Sequence, residues 1–326
     1  MDGKRQCAAR VCSWLLGFSA IAAPALAQNF PAKPVRVINP AAPGGNSDLL
    51  FRLLQPKMSE VLGQPLVMDY RVGAGGIIGV EATAKAAPDG YTTALVAASF
   101  LINAAVRSKL PYDTLKDFTP LGLIVDLPAG LMVHPSMPVR SVNELIALAK
   151  ARPGQILYST SGYGTLGHMS AELFNAIAGV KLTHVPYKGA GPSVIDLIAG
   201  HVQSTFVSLP LVMGHIQSRR LRILAQCGAK RSESLPEVAT MQEAGVPGFV
   251  VSSGFSFIGP AGIARPIAER LNAALAQSVR DPANRKQLIA QAADPEGSSI
   301  DEHAVFIKAE VAKWTQVAKQ ANIRID

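Results

Sequence analysis

Apolar, β-branched runs alternate with segments of helical spacing along most of the chain. Residues 35–39 form such a run, and the leucines between 49 and 62 recur at helical spacing until Gly63 ends the pattern. Further runs of this kind, separated by intervals of helix length, occur at 65–70, 93–97, 156–159, 182–185, 202–207 and 221–225. This alternation predicts an α/β fold with mostly parallel sheets and helices on both faces.

Two capping boxes mark the starts of helices in the second half of the chain. Ser141-x-x-Glu144 opens one helix, and Ser299-x-x-Glu302 opens the last one, which is predicted to continue to residue 321. In a capping box, the serine and the acidic side chain satisfy two backbone N–H groups that the helix itself leaves unpaired.

The predicted elements fall into two groups, which the chain separates near Leu127 and Val251. We therefore predict two lobes with a ligand cleft between them. Lobe one is discontinuous and comprises residues 28–127 and 252–326, whereas lobe two comprises residues 128–251. On open α/β sheets a ligand lies beyond the carboxyl ends of the strands, so two such lobes can close around it.

The first 27 residues have the three parts of a secretory signal peptide. Basic residues in the first ten positions precede an apolar stretch at 11–25, and Ala25-Leu26-Ala27 provides a cleavage site. We therefore predict a signal peptide at residues 1–27 that is cleaved after Ala27, and an exported protein. The alternative is a membrane anchor, but the apolar stretch is shorter than the ~18 residues of a spanning helix.

Composition narrows the possible partners. The net charge is +8, but the basic residues are scattered and lack interleaved aromatics, so no nucleic-acid partner is expected. Of the three cysteines only Cys227 follows the cleavage site, which excludes a disulfide framework and predicts a buried packing residue. The histidines show no metal-ligand spacing, and neither a metal nor a cofactor is expected.

Three strand-to-helix turns are unusually rich in glycine, at 42–48, 71–76 and 160–165. Glycine lets backbone N–H groups approach a ligand closely, and the helix that follows supplies unpaired donors with a partial positive charge. The alternative for any single turn is that its glycines only shape the chain. Three such turns at equivalent positions favour an anion site built from backbone donors.

Patterns that would indicate an enzyme are weak or missing. The spacing Gly73-x-Gly75-x-x-x-Gly79 only loosely matches a dinucleotide fingerprint, and no acidic residue stands at a second strand end to bind a ribose. The sequence has no Gly-x-Ser-x-Gly elbow and no evident carboxylate pair. His168, after the third turn, either faces the cleft or orients the loop by packing. We therefore predict a binding protein and not an enzyme.

Several longer motifs are specific enough to indicate a family. They include Pro40-x-Ala42-Pro43-Gly44-Gly45, Arg71-x-Gly73-Ala74-Gly75-Gly76, Ala87-Pro88-Asp89-Gly90-Tyr91-Thr92 and His184-Val185-Pro186-Tyr187-Lys188-Gly189. With these motifs, residues 30–326 resemble the Bug-type solute receptors of tripartite tricarboxylate transporters. The resemblance implies a two-lobed "Venus flytrap" of the periplasm that delivers a small organic carboxylate to a membrane permease. We also expect a monomer.

The resemblance further implies which residues hold the ligand. In the family, one carboxylate is bound by the first two turns, partly through waters, and the other by the third turn and its helix. Carried onto this chain, the first group comprises Gly44, Gly45, Asn46, Ser47, Gly75 and Gly76, with Ser99 facing the same cleft. The second group comprises Thr160, Ser161, Gly162, Gly164, Thr165 and His168.

Three positions depart from the pattern of the family. Ala41 stands where an aromatic residue is usual, Val207 where an aspartate often meets ligand amines, and Gly254, before Phe255, where a tryptophan is frequent. Unless they are neutral drift, these departures imply a roomier pocket without a counter-charge for an ammonium group. The expected ligand is an amine-free dicarboxylate or an aromatic carboxylate. The alternative function is a periplasmic sensor that signals through a membrane partner.

Overall fold

Two β-sheets flanked by helices form the frame of the protein. The computed structural model describes residues 30–41, 43, 45–251 and 254–325, so the predicted signal peptide and Gly44 lie outside the described residues. The described strands are β1 (Val35–Asn39), β2 (Leu66–Tyr70), β3 (Thr92–Val96), β4 (Phe118–Asp126), β5 (Ala129–Val133), β6 (Leu157–Thr160), β7 (Thr183–Pro186), β8 (Ser204–Ser208), β9 (Arg222–Gln226), β10 (Phe255–Pro260) and β11 (Asp294–Pro295). The described helices are α1 (Asn46–Leu62), α2 (Ile77–Ala84), α3 (Ser99–Val106), α4 (Val142–Ala151), α5 (Leu166–Ala178), α6 (Ala190–Ile198), α7 (Leu209–Gln217), α8 (Arg265–Arg280), α9 (Pro282–Ala290) and α10 (Ile300–Gln320).

The order of the strands shows how the chain divides between the sheets. The six-stranded sheet has the order β11-β4-β10-β3-β1-β2, and the five-stranded sheet has the order β7-β6-β8-β5-β9. The chain leaves the first sheet after β4 and returns to it at β10. The α/β fold is therefore confirmed, whereas the lobe boundaries at residues 127 and 252 stay a prediction.

The sheets are mixed, which corrects the expectation of mostly parallel pairing. β1 pairs in parallel with β2 and β3, and β6 pairs in parallel with β7 and β8. β10 runs antiparallel between β3 and β4, and β5 runs antiparallel to both β8 and β9. Helical crossovers between neighbouring strands impose parallel pairing. β4 runs directly into β5 of the other sheet, and no helix is found among the described residues between β9 and β10. These strands are therefore not forced into parallel pairing.

Helix boundaries follow local signals in the sequence. α1 ends at Leu62, and Gly63 follows in the left-handed conformation with φ 73°. The Ser141 hydroxyl accepts a hydrogen bond from the Glu144 N–H at 3.2 Å, where α4 begins. Ser299 and Glu302 form a complete capping box at the start of α10. The predicted starts of both helices are therefore confirmed.

The largest hydrophobic core joins residues of both sheets. It includes Ile38 and Val96 from the first sheet, Leu131 and Phe206 from the second, and Trp314 of α10. Residues 31–326 accordingly form one compact unit. Since α10 contacts α3, α5 and β4, the C-terminal helix packs against elements that carry both groups of candidate site residues.

Cys227 belongs to this core and is completely buried. The prediction of a buried packing residue is therefore confirmed, and burial raises the pKa of the thiol well above the usual range. Over the described ranges, no helix combines the length and the apolar character that a membrane crossing requires. The same ranges hold no group of three metal-binding side chains.

Candidate functional site

The first glycine-rich turn links β1 to α1. Asn39 ends the strand, and α1 begins at Asn46 directly after Gly45. Because Gly45 has no side chain, no side-chain oxygen caps this helix. An uncapped helix N-terminus presents N–H donors and a partial positive charge, which together favour a bound anion.

An acidic residue in the first turn of α1 is engaged within the protein. Asp48 is buried, and its Oδ1 atom accepts hydrogen bonds from the Tyr70 hydroxyl at 2.6 Å and from Arg52 Nε at 3.1 Å. The hydrogen bond to Asp48 also raises the pKa of Tyr70. The charge of Asp48 is therefore balanced locally by Arg52 and does not oppose an anion at the helix start.

The second turn follows β2 and has an unusual backbone. Residues 73–76 all have positive φ, with values of 140°, 48°, 68° and 93°. Such conformations suit glycine, which lacks a Cβ atom. Asn103 of α3 supports the turn by donating from Nδ2 to the Gly75 carbonyl at 3.2 Å, and Arg107 Nε donates to Asn103 Oδ1 at 3.3 Å.

A cavity of about 450 Å³ lies where these two turns meet the ends of β3 and β10. Its volume is within the ~300–1,000 Å³ range of small-molecule sites. The described residues that line it are all uncharged. We also expected Ala41, Gly254 and Phe255 to shape the pocket. The lining includes most of the first predicted group and two of these three residues, namely Gly45, Asn46, Ser47, Gly75, Gly76, Ser99, Ala41 and Phe255. We call this space the turn cavity.

The third glycine-rich turn, after β6, has a different hydrogen-bond pattern. The Gly162 N–H donates to Thr160 Oγ1 at 3.1 Å, and Thr165 Oγ1 donates to the Gly162 carbonyl at 2.7 Å. The Gly164 N–H donates to His168 Nδ1 at 3.1 Å. Two backbone donors that the sequence assigns to a ligand therefore bond to side chains of the turn and of α5, and Ser161, which precedes both donors, is half-buried.

His168 supports this turn as one member of an aromatic stack. Its ring stacks on His184 at a centroid distance of 4.2 Å, and Tyr163 approaches both rings edge-on. Burial lowers the pKa of His168 and of His184 to about 4, so both are neutral near pH 7. Because His168 Nδ1 accepts a hydrogen bond, the proton of the neutral ring is on Nε2.

The remaining predicted residues do not line the turn cavity. None of the third-turn residues lines it, and Val207 packs, half-buried, beside a smaller hydrophobic cluster that contains Met132 and Leu209. Gly254 is buried just before β10. Of the three departures from the family pattern, Ala41 is therefore the one that lines this cavity.

A larger groove of about 990 Å³ adjoins the turn cavity, because Asn46 and Phe255 line both. Its lining includes Leu49 and Leu53 on α1 and Leu211 on α7, together with the charged side chains of Arg52, Lys57, Glu60 and Asp281. Leu49 and Leu211 are 53% and 44% exposed, so their apolar side chains are open to this space. The groove thus extends the site with space for an apolar part of a ligand.

Two polar residues of the turn cavity were not predicted from the sequence. Asn39 and Asn103 both line it, and both are buried. A signal for Asn39 exists, since it is the polar end of an otherwise apolar strand and directly precedes the first turn. Asn103 lies within a helix of mainly apolar residues, and its proximity to the second turn depends on tertiary packing.

Comparisons with known proteins find similarity over most of the chain, including the residues that line the turn cavity. A family model described as "Tripartite tricarboxylate transporter family receptor" matches residues 50–323. Protein BugT of Bordetella pertussis is 36% identical to this chain over 307 residues, which cover 94% of both sequences.

Solved structures give a similar result. R. palustris Rpa4515 with adipate has 36% sequence identity and a TM-score of 0.78, and the match covers 90% of this chain and 99% of that one. MatC from Rhodopseudomonas palustris with bound malate has 29% identity and a TM-score of 0.73, with coverage of 88% and 99%. Both similarities extend over nearly the whole described chain.

Proposed function

Because this chain belongs to the tripartite tricarboxylate transporter receptor family, we propose that it captures an amine-free organic carboxylate and delivers it to the membrane permease of such a transporter. Members of the family are periplasmic solute-binding receptors, so the expectation of a binding protein and not an enzyme is confirmed. The ligand and the permease are the proposed parts.

The turn cavity is the observation that carries the proposal. It combines the uncapped start of α1, the glycine backbone of the second turn and an uncharged lining. Hydrogen bonds to a charged group contribute roughly 1.5–3 kcal/mol each. A few of them give micromolar affinity, about −8 kcal/mol, after the costs of association.

The lining of the cavity also supports the choice of an amine-free ligand. An amino acid would place its ammonium group among residues that offer no carboxylate, and a buried unpaired charge costs several kcal/mol. The similar proteins named above were solved with adipate and malate, which are both dicarboxylates without an amine. Space in the adjoining groove favours ligands longer than malate.

A thermal-shift screen of the purified protein, followed by calorimetric titration, tests the proposal. The panel contains malate, adipate, phthalate, benzoate, aspartate and glutamate. We expect at least one amine-free carboxylate to raise the midpoint of unfolding and to bind with a Kd near micromolar. A protein that is stabilised by none of the carboxylates, or only by the two amino acids, would contradict the proposal.

Delivery to a permease needs a separate test in cells. We expect uptake of the labelled ligand to be lost when the gene for this receptor is deleted and to return when it is restored. Uptake that is unchanged by the deletion, together with a ligand response that disappears, would favour the sensor.

A further inference from the structure

Asn39 is a buried polar residue at the wall of the turn cavity. Its exposed fraction is 0%, and it ends β1 immediately before the first turn. Its Oδ1 atom accepts hydrogen bonds from the Ala41 N–H at 3.0 Å and from Ser47 Oγ at 3.1 Å. Since Ala41 and Ser47 also line the cavity, the amide of Asn39 lies at its edge.

The orientation of this amide is fixed by its neighbours. A backbone N–H can only donate, so the amide atom that lies 3.0 Å from the Ala41 nitrogen must be the oxygen. The NH₂ group is therefore the part of the side chain that takes no part in these two hydrogen bonds. Among the described residues, Asn39 Nδ2 has no hydrogen-bond partner. Buried donors are hydrogen-bonded in the large majority of cases, so a donor of this kind at a cavity wall indicates a ligand.

The other buried amide that lines the cavity, that of Asn103, has hydrogen-bond partners for both its NH₂ group and its oxygen. Asn103 Nδ2 donates to the Gly75 carbonyl, and Asn103 Oδ1 accepts from Arg107. The Ser47 hydroxyl donates its proton to Asn39. Asn39 Nδ2 thus differs from these groups, because its hydrogens are not committed within the described protein.

We infer that Asn39 donates from Nδ2 to a carboxylate oxygen of the ligand and is a specificity-determining residue of the receptor. The inference rests on the proposed function, since it assumes that the ligand is a carboxylate. The NH₂ group can only donate hydrogen bonds, so it can bind an acceptor oxygen of a carboxylate. It cannot bind an ammonium group, which is itself only a donor. Asn39 therefore adds a second reason, beside the uncharged lining, for the preference against amines.

The Asn39→Asp variant tests the inference with little change in shape. Its carboxylate can still accept from Ala41 and Ser47, but it replaces the donor with a negative oxygen that faces the ligand. At pH 7.5 we expect the affinity for the best carboxylate of the panel to fall at least about fiftyfold, since a hydrogen bond to a charged group is lost and repulsion is added. The midpoint of unfolding without ligand should stay near that of the unmodified protein.

A pH series separates this role from a structural one. Burial raises the pKa of a carboxyl group, and the protonated form of the introduced carboxyl regains an O–H donor. The ratio of the two affinities, unmodified over variant, should therefore shrink as the pH is lowered from 7.5 to 5. A ratio that stays large and constant would indicate general damage to the site and overturn the inference.

Asn143→Asp provides the matched control. This residue is exposed near the start of α4 and does not line the turn cavity, so the same substitution makes the same change of net charge outside the proposed site. We expect the control to bind the carboxylate with unchanged affinity. An Asn39→Asp protein that is folded and binds as tightly as the control would overturn the inference and leave the proposed function intact.

A second measurement does not depend on the folding of the variant. In ¹⁵N-labelled unmodified protein, the side-chain NH₂ signals of Asn39 should shift when the carboxylate is added, and the hydrogen that bonds to it should move downfield. Signals that do not respond at saturating ligand would overturn the inference. If the unmodified protein binds no carboxylate at all, the proposed function fails and this inference fails with it.

Discussion

Glycines of the second and third glycine-rich turns have different neighbours. These neighbours determine whether an added side chain would disturb ligand binding or the stability of the fold. A Cβ atom at Gly75 would meet only Arg107, at 3.6 Å from its guanidinium, whereas a Cβ atom at Gly164 would overlap the side chain of Ile325. Both residues have positive φ, with values of 68° and 66°. The backbone strain of a substitution is therefore similar at the two positions, and the steric cost is not.

We predict that Gly75→Val weakens carboxylate binding at least about tenfold, or 1.4 kcal/mol, because its methyl groups crowd the backbone donors of the second turn. Gly164→Val should instead lower the midpoint of unfolding further than Gly75→Val does. Calorimetric titration and thermal unfolding measure the two effects. Gly179→Val is the matched control, since Gly179 has φ 62° and open space around its Cβ position. Native affinity in a folded Gly75→Val protein would exclude the second turn from the site.

The buried histidines predict a loss of stability in acid. The pKa of His168 in the folded state is about 4, below its ordinary value of 6.5, because burial disfavours the charged ring. Between these values the unfolded chain binds more protons than the folded one, so stability falls as the pH is lowered from about 6.5 to 4. The loss is on the order of 3 kcal/mol for this residue, because each unit of pKa difference corresponds to about 1.4 kcal/mol.

Thermal unfolding at pH 7.5, 5.5 and 4.5 measures this effect, and His168→Gln should make the pH dependence shallower. A glutamine keeps an acceptor for the Gly164 N–H but cannot be protonated in this range. His201→Gln removes an exposed ring and serves as the control, and it should change the pH profile less than His168→Gln does. Equal profiles for His168→Gln and the unmodified protein would show that the ring is not kept neutral by burial.

Elements of the fold could be predicted from the sequence where the signals are local. β1 coincides with the predicted run, and α1 and α10 end and begin at the predicted glycine and serine. β4 and the antiparallel position of β10 could not be predicted, because both depend on pairing between segments that are far apart in the chain. The free donor of Asn39 and the internally bonded third turn also depend on tertiary contacts, which residue spacing does not reveal.

The start of α10 offers a test at the level of one element. Ser299→Ala removes the hydroxyl that accepts the Glu302 N–H at 3.2 Å, and capping serines contribute about 1 kcal/mol to stability. We expect the midpoint of unfolding to fall by roughly 2–4 °C, with unchanged affinity for the ligand. Ser218→Ala, whose hydroxyl bonds back to the Gly214 carbonyl of its own helix, should have a smaller effect. A decrease of the same size in both variants would contradict the role of the capping box.

At the scale of the whole molecule, the turn cavity and the adjoining groove together determine which ligands fit. Ala41 lines the cavity with a small side chain, and the groove continues from Asn46 and Phe255 along α1. A ligand that carries a carboxylate at one end and an apolar body behind it matches this arrangement. The position of the third turn against Ile325 and Val106 places the second candidate group close to α3.

We predict that amine-free dicarboxylates longer than malate bind at least about tenfold more tightly than aspartate or glutamate, a difference of 1.4 kcal/mol. Ala41→Phe should reduce the affinity for adipate or phthalate more than that for malate, because the added ring fills the wall of the cavity. Competition titrations measure both ratios. A variant that weakens all ligands equally would show that Ala41 does not set the permitted size.

Trp314 gives the exported protein an optical property that follows from its position in the core. The sequence has two tryptophans, and Trp14 lies within the predicted signal peptide, so Trp314 would be the one source of tryptophan fluorescence in the processed chain. This indole is 0% exposed, and Lys313 Nζ lies 4.6 Å from the centre of its ring. Its emission should therefore be at short wavelength in the native protein and move to longer wavelength when water reaches the core. The emission of this one tryptophan would thus report unfolding in every variant proposed above without any label.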